Sequence, residues 1–156
     1  MIEQARADFL QAQQGLIRAL DKTPPERLKW SPSDTARSPL EVAAHAALAA
    51  GSMLGNLTGD TFAIPTTAEA DVYFRQAEQA LDSRDKVVEC LERNSQAYLT
   101  WLETVTPEIL ATQMKVPFGF GEVPMTAGIS FMAAHLNWHA AQIHYIQTIY
   151  GDRDWF

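Results

Sequence analysis

Apolar residues recur every three or four positions along most of this chain, which is the spacing of an α-helix with a buried face. Residues 21–37, 58–68 and 115–125 interrupt the pattern with proline, glycine and short polar residues. They are predicted loops, and the last is a candidate small hairpin. No convincing strand pairing is visible elsewhere. The predicted long helices span residues 3–20, 38–57, 70–105 and 126–150.

Particular residues mark where these helices begin and end. Ser38 and Glu41 form the pattern of a capping box, in which each side chain accepts a hydrogen bond from a free N–H at the helix start. Ser83 can begin a new helix within the third stretch, Thr126 can cap the last helix, and Gly151 can end it. Four helices joined by loops of about ten residues or more predict an all-α fold, a four-helix bundle with long connecting loops.

Length and charge narrow the class of protein. The chain has 156 residues, the size of one domain, so residues 1–156 are expected to form a single bundle. Its 12 Lys and Arg against 19 Asp and Glu give a net charge of −7. The basic residues are scattered, so the chain lacks the positive field that nucleic acids and anionic membranes require.

Cysteine content and the N-terminal residues indicate the compartment. Cys90 is the one cysteine, so no intramolecular disulfide can form. The N-terminal residues carry charges and lack the apolar core of a signal peptide, and no stretch of about 18 apolar residues is present to span a membrane. These features predict a soluble cytoplasmic protein. Cys90 is expected to be a small core residue rather than a nucleophile.

Two of the four histidines share a helix face. His135 and His139 are four residues apart, so they lie about 40° from each other around the last helix, and Gln142 continues that face. His144 lies about 180° from His135 and cannot join the pair without distortion. His45 sits among alanines in the second helix, where a bundle can bring its imidazole against the pair.

Three converging neutral imidazoles are a ligand set for a first-row metal such as zinc, nickel, iron or copper. Such a site leaves positions open to water or substrate, as catalytic metal sites do. Glu41, one turn before His45, and Gln142, nearly one turn after His139, are candidates to orient a ligand or a bound water. In the alternative, the histidines are polar residues of an ordinary bundle, Glu41 only caps its helix and Gln142 is solvated.

The last helix carries a family resemblance. It reads HLNWHAAQIHYIQTIYGD, and its His-x-x-x-His-x-x-Gln core, followed by apolar residues and Gly-Asp, resembles the end of DinB-like proteins, the DNA-damage-inducible family. The Trp30-Ser31-Pro32 loop, followed by a helix with one central histidine, is similar to that family's first ligand segment. The order of loops and helices agrees over nearly the whole chain.

The resemblance implies an up-down-down-up bundle with one long crossover and frequent homodimers. It implies a divalent metal, commonly nickel or zinc, held by His45, His135 and His139. DinB-like relatives include S-transferases that use low-molecular-weight thiols and a mycothiol-dependent isomerase. This chain departs from the family at Ala140-Ala141, where a basic residue and a glycine are common, so a positive charge for an anionic substrate is missing.

A second apolar stripe on the last helix bears on the homodimer. A helix that is apolar on two sides must cover both. The stripe therefore either packs on another helix of the same bundle or forms a subunit interface. It lies about 60–100° from the histidine face. Its members are Ala134, Trp138, Ala141 and Tyr145.

Two functions follow from these patterns. The first is a metal-dependent enzyme, a thiol S-transferase or a hydrolase, acting on a small molecule in a pocket walled by the three loops. Trp30, Phe118 and Phe120 are its expected apolar contacts, and a low-molecular-weight thiol is the candidate co-substrate. The alternative is a non-catalytic dimeric bundle for stress response or small-ligand binding. No residue is assigned a catalytic role.

Overall fold

Helices account for most of the chain, as the apolar spacing predicts. The computed structural model describes residues 1–60 and 63–154. Within them, β1 (Gln113–Lys115) and β2 (Glu122–Pro124) form an antiparallel hairpin, and a short 3₁₀ turn spans Pro25–Arg27. The α-helices are α1 (Ile2–Asp21), α2 (Pro39–Leu57), α3 (Thr67–Glu78), α4 (Arg84–Leu102), α5 (Pro107–Leu110) and α6 (Met125–Ile149).

The stretch predicted as helical over residues 70–105 forms two separate helices, α3 and α4. Ser83 has an extended backbone, with φ −140° and ψ 157°, and its side chain accepts a hydrogen bond from the N–H of Lys86. An extended residue cannot continue a helix, so a single helix through this stretch is wrong and the restart at Ser83 is confirmed. α3 packs on α2, beside the four long helices.

Local hydrogen bonds set the starts of α2 and α6. Ser38 and Glu41 form the predicted capping box, with Glu41 Oε2 accepting from the Ser38 N–H at 2.7 Å. The predicted cap at Thr126 is wrong, since α6 begins at Met125 without a side-chain cap. Strand β2 runs directly into α6, and the N–H of Met125 donates to the carbonyl of Thr112 at 3.0 Å. This backbone bond satisfies one of the free N–H groups at the helix start.

The candidate hairpin is present, with its strands at 113–115 and 122–124. Its register pairs Gln113 with Pro124, Met114 with Val123 and Lys115 with Glu122. The tip turns through Phe118, Gly119 and Gly121, all of which have positive φ. Phe118, with φ 66°, adopts a left-handed conformation that residues with a Cβ atom rarely occupy.

Contacts between helix ends give the directions of the bundle helices. Arg84, at the start of α4, donates to the carbonyls of Leu20 and Thr23 beside the end of α1. α1 and α4 are therefore antiparallel. Gln147, near the end of α6, donates to the carbonyl of Ala19, which also lies near the end of α1. α1 and α6 are therefore parallel.

The remaining long helix, α2, runs antiparallel to α6, because Leu57 at the end of α2 lies beside Gly128 at the start of α6. α1 and α6 thus run one way and α2 and α4 the other, which is the up-down-down-up order that the resemblance implies. Since α2 and α4 are parallel neighbours, the connection between them has to return along the bundle. α3 lies in that connection.

The four long helices bury a shared core. α2 contacts α3, α4 and α6, and its alanines are buried on several sides. Cys90 is 2% exposed and belongs to this core, as expected. Among the described residues no helix is both long and apolar enough to cross a membrane. The largest fully buried side chains include Tyr98, Phe9, Leu16, Leu20, Leu91, Leu102, Ile129, Met132, Leu136 and Ile143.

Two helix glycines give opposite predictions for substitution by alanine. A Cβ atom at Gly128 would overlap the Met114 sulfur and lie 3.1 Å from Leu57 Cδ2. Gly128→Ala is therefore expected to lower the free energy of unfolding by about 1–3 kcal/mol. A Cβ atom at Gly15 meets nothing within 4 Å, so Gly15→Ala is expected to raise it by about 1 kcal/mol. Urea denaturation measures both, and stabilisation by Gly128→Ala would contradict the close approach of the hairpin to α6.

Candidate metal centre

The antiparallel packing of α2 and α6 brings three imidazoles to one place. His45 lies in the second turn of α2, and His135 and His139 lie on adjacent turns near the middle of α6. Each offers one ring nitrogen, and these three nitrogens lie within 4.8 Å of one another. The structure thus brings together the three histidines that the sequence analysis singles out.

The spacing of these nitrogens suits a single first-row ion. Metal–nitrogen bonds are about 2.0–2.1 Å long, so two nitrogens on one ion lie at most about 4.2 Å apart. Nε2 of His135 and Nε2 of His139 are 3.2 Å apart, well within that limit. Even if the His45 nitrogen lies the full 4.8 Å from one of the others, a shift of about 0.6 Å brings the two within the distance that one ion can span.

Hydrogen bonds determine which nitrogen is free in two of the rings. His45 Nδ1 donates to Glu78 Oε1 at 3.0 Å, and His139 Nδ1 donates to Gln142 Oε1 at 2.7 Å. A neutral imidazole carries one ring hydrogen, so each of these rings keeps a lone pair on Nε2. That lone pair is what a metal requires of a ligand. The chain itself therefore prepares two of the three rings for coordination.

His135 completes the cluster. Its Nδ1 is buried without a hydrogen-bond partner among the described residues, and its Nε2 faces His139 Nε2. Burial, followed by the neighbouring His139 and His45, lowers the pKa of His135 to about 3. Burial likewise lowers the pKa of His139 to about 4, although its bond to Gln142 acts in the opposite direction. Both rings are neutral at pH 7, the form that binds metal.

Glu78, at the end of α3, is the site residue that the sequence analysis missed. It is 4% exposed, and its carboxylate accepts from His45 Nδ1 at 3.0 Å and from Arg37 Nε at 2.9 Å. Burial opposes its ionisation, but the hydrogen bonds from His45 and Arg37 outweigh burial, so the pKa of Glu78 is lowered. A sequence signal existed, because Ala70, Phe74 and Glu78 recur every four residues and place a carboxylate on an apolar helix face.

A charge network extends from Glu78 towards the surface. Arg37 also donates to Asp71 Oδ1 at 2.8 Å, and Asp71 Oδ2 accepts from Arg75 at 2.8 Å. The pKa of Asp71 is lowered, mainly by the hydrogen bond from Arg75. Two arginines thus balance two carboxylates. The charges of these four side chains therefore cancel.

Glu41 and Gln142 were the two candidates to orient the metal ligands, and only Gln142 lies beside one of the histidines. Gln142 lies at the site, where it accepts from His139. Glu41 does not, because its carboxylate accepts from the N–H and the hydroxyl of Ser38 in the capping box. The carboxylate that pairs with His45 is therefore that of Glu78 on α3 rather than that of Glu41 on α2.

Trp30 and His144 lie away from the three imidazoles. Trp30 was expected in the pocket, but it packs edge-on against Tyr150, with ring centroids 5.8 Å apart, and lines neither cavity at the histidines. The guanidinium of Arg27 lies over the Trp30 ring at 5.3 Å. His144 is outside the three-histidine cluster, in agreement with its position around the helix.

Two cavities meet at the histidines. The first, of about 710 Å³, lies between α2, α3, α6 and the hairpin tip, and all three histidines line it with Phe118 and Phe120. The second, of about 830 Å³, lies between the segment before α2 and the outer face of α6. Residues of the loops 21–37 and 115–125 thus form walls. In the third predicted loop, 58–68, Thr67 also lines the first cavity, and residues 61 and 62 lie outside the described residues.

A sequence model of the DinB superfamily matches residues 2–143. The chain belongs to the DinB superfamily. The match spans α1 through most of α6 and therefore includes all three histidines of the cluster. The resemblance seen in the last helix and in the loop before α2 is confirmed over nearly the whole sequence.

Two solved structures share the fold of this DinB-superfamily chain. One, described as sibling lethal factor precursor DfsB, is 17% identical, has a TM-score of 0.72 and matches over 97% of each chain. The other, YfiT from Bacillus subtilis, is described as a probable metal-dependent hydrolase with an unusual four-helix bundle topology. It is 16% identical, with a TM-score of 0.75, over 97% of this chain and 88% of that one. At these identities the likeness shows the fold alone. No curated protein matches the sequence.

Substitution of the two glutamates separates their roles. Glu78→Gln removes the charge that holds the Nδ1 hydrogen of His45, so the affinity for zinc is expected to fall by about 10–100-fold. Glu41→Gln is the matched control, since glutamine also fits a capping box, and its zinc affinity is expected to equal that of the wild type. Competition with a chromophoric chelator measures the affinities, and the absorption spectrum of bound cobalt reports the ligand geometry. Equal affinities for wild type and Glu78→Gln would show that Glu78 has no role at the metal.

Proposed function

We propose that this DinB-superfamily chain is a divalent-metal-dependent enzyme, a hydrolase or a thiol S-transferase, that acts on a small molecule. The observation that carries the proposal is the cluster of His45, His135 and His139, whose ring nitrogens converge beside a cavity. The likeness to YfiT, a probable metal-dependent hydrolase, supports the proposal at the level of the fold.

Three imidazoles occupy only part of the coordination sphere of an ion, so positions stay open for a water, a thiol or a group of the substrate. A bound ion supplies Lewis acidity there and lowers the pKa of a coordinated water or thiol. The residues of the chain orient the ligands: Glu78 fixes the tautomer of His45, and Gln142 fixes that of His139. We propose nickel or zinc, because imidazole nitrogens suit both ions. A low-molecular-weight thiol is the proposed co-substrate of a transferase.

A non-catalytic bundle that binds a metal or a small ligand is the second candidate function. Among the described residues, Asp71 is the carboxylate that lines the cavity of about 710 Å³, and it is paired with Arg37 and Arg75. Glu78 is likewise paired. An ion-paired carboxylate is a weak proton acceptor. An enzyme at this site would therefore depend on a nucleophile of low pKa rather than on a carboxylate base.

Metal content and turnover test the proposed enzyme together. Protein purified without chelators or nickel resin is expected to carry about one equivalent of metal. His139→Ala is expected to lose it, and His144→Ala, which lies outside the cluster, to retain it. Turnover of para-nitrophenyl esters, or of thiols with chlorodinitrobenzene, is expected to stop on chelation and to return with nickel or zinc.

The two remaining outcomes are distinct. Wild-type protein that neither carries metal nor takes it up would overturn the proposed metal centre. Metal-loaded protein that turns over neither class of substrate would favour the non-catalytic bundle.

We also propose a homodimer through the second apolar stripe of α6. Trp138 is 57% exposed and Tyr145 is 70% exposed, so no other helix among the described residues covers them. Trp138 and Tyr145 are seven positions apart, as are Ala134 and Ala141, which is the spacing of a seam between two helices. A second copy of α6 offers the matching surface.

Sedimentation velocity tests the homodimer. The wild type is expected to sediment as a dimer, and Tyr145→Glu as a monomer, because a charge would be buried in the seam. Val72→Glu is the control, since Val72 is also exposed but lies on α3 away from the stripe. A monomeric wild type, or a Tyr145→Glu variant that remains dimeric, would exclude this interface.

The cytoplasm is the proposed location. Cys90 is the one cysteine of the sequence and is a buried free thiol, and burial raises its pKa, so it is suited to neither disulfide formation nor nucleophilic attack.

A further inference from the structure

The cavity of about 710 Å³ beside the three histidines has a polar end and an apolar body. His45, His135 and His139 form the polar end. The remainder of the wall is dominated by apolar side chains of α2, α3, α6 and the hairpin. Its size falls within the range of cavities that hold organic ligands, about 300–1,000 Å³. The large apolar side chains of the wall include Phe74, Met114, Phe118, Phe120, Phe131 and Trp138.

Two of these aromatic side chains stand at the rim of the cavity with much of their surface in water. Phe120 is 69% exposed and Phe131 is 41% exposed. Large apolar groups that remain exposed beside a cavity are typical of a ligand site, because their contact with water is unfavourable until a ligand covers them. The rim therefore favours an apolar occupant.

The hairpin tip is held against this cavity in a strained conformation. Phe118 has a positive φ, which costs free energy for a residue that carries a Cβ atom. Its ring packs with the small cluster of Ala49, Ala70 and Phe74 and meets Phe120 edge-on at 6.3 Å. These contacts offset the strain, so the packing fixes the aromatic wall in place rather than leaving the tip in solvent.

The charges around the cavity argue against an anionic body for the ligand. Arg37 is the cationic side chain of the wall among the described residues, and it is engaged by Glu78 and Asp71. The Ala140-Ala141 segment supplies no second cation. Away from the ion that the histidines would hold, an anionic group in the cavity would meet only a cation that is already neutralised.

We propose that the substrate carries an apolar alkyl or aryl body that fills this cavity, with a metal-binding polar head at the three histidines. The inference rests on the proposed metal-dependent function and adds the class of substrate. The His cluster receives the head, and Phe118, Phe120, Phe131 and Phe74 enclose the body.

A series of hydroxamates on the zinc-loaded protein distinguishes the affinity due to the polar head from the affinity due to the apolar body. Acetohydroxamate presents the head alone, whereas benzohydroxamate and octanohydroxamate add an aryl and an alkyl body. The two larger probes are expected to bind about tenfold tighter or more than acetohydroxamate. Phe120→Ala is expected to reduce that advantage while leaving acetohydroxamate binding unchanged. Val72→Ala, an exposed apolar residue of α3 outside the cavity, is the control.

A neutral fluorescent probe, N-phenylnaphthylamine, reports the apolar body of the cavity without metal. It is expected to bind the metal-free and the zinc-loaded protein, and to bind Phe120→Ala and Phe131→Ala more weakly. Failure of the chain to bind zinc would overturn the proposed function and the placement of the head, whereas the fluorescent probe would still report the apolar body.

Three results would overturn the apolar substrate while leaving the metal centre intact. One is equal affinity for all three hydroxamates on zinc-loaded protein. The second is N-phenylnaphthylamine binding that the two phenylalanine substitutions do not change. The third is probe binding that falls as protein concentration rises, which would show that a second copy of the chain covers the cavity.

Discussion

The packing of α2 against α6 is the constraint on which the site depends. α2 contacts α1, α3, α4 and α6, and its many buried alanines permit close approach. Because the two helices are antiparallel, the second turn of α2 meets the middle of α6, and His45 meets His135 and His139. A slip of one helical turn, about 5.4 Å, would separate the nitrogens by more than a single ion can span. The geometry of the candidate metal centre is therefore a property of the bundle register.

The direction of the helices gives α3 a part in the same site. Parallel neighbours such as α2 and α4 require a connection that returns along the bundle, and α3 lies in that connection. Its last turn carries Glu78, whose buried charge would be costly without the hydrogen bonds from His45 and Arg37. The crossover thus supplies both the carboxylate that orients one imidazole and a wall of the apolar cavity.

The charge of the site differs from the net charge of the whole chain. The chain carries a net charge of −7, yet the imidazoles of His135 and His139 are neutral and the adjacent arginines and carboxylates balance. Away from the ion that the histidines would hold, the aromatic walls and the absence of a surplus cation fit an uncharged or weakly polar body better than an anionic one. Arg37 does not supply the positive charge that is missing at Ala140-Ala141, because its guanidinium is already paired with Asp71 and Glu78.

The sequence by itself determined the features that depend on neighbours within about one helical turn. The capping box of Ser38 and Glu41, the restart at Ser83 and the shared face of His135 and His139 all follow from spacings of three or four residues. The family resemblance added the order of the helices and the convergence of His45 with the pair.

Only the tertiary structure decided which carboxylate serves His45, since Glu78 is 33 residues away from it and Glu41 is only four. It also moved Trp30 to Tyr150 and let the hairpin, rather than Thr126, set the start of α6. Those outcomes arise from contacts between distant segments, and the periodicity of a sequence encodes which face of a helix is buried, not which segment comes to cover it.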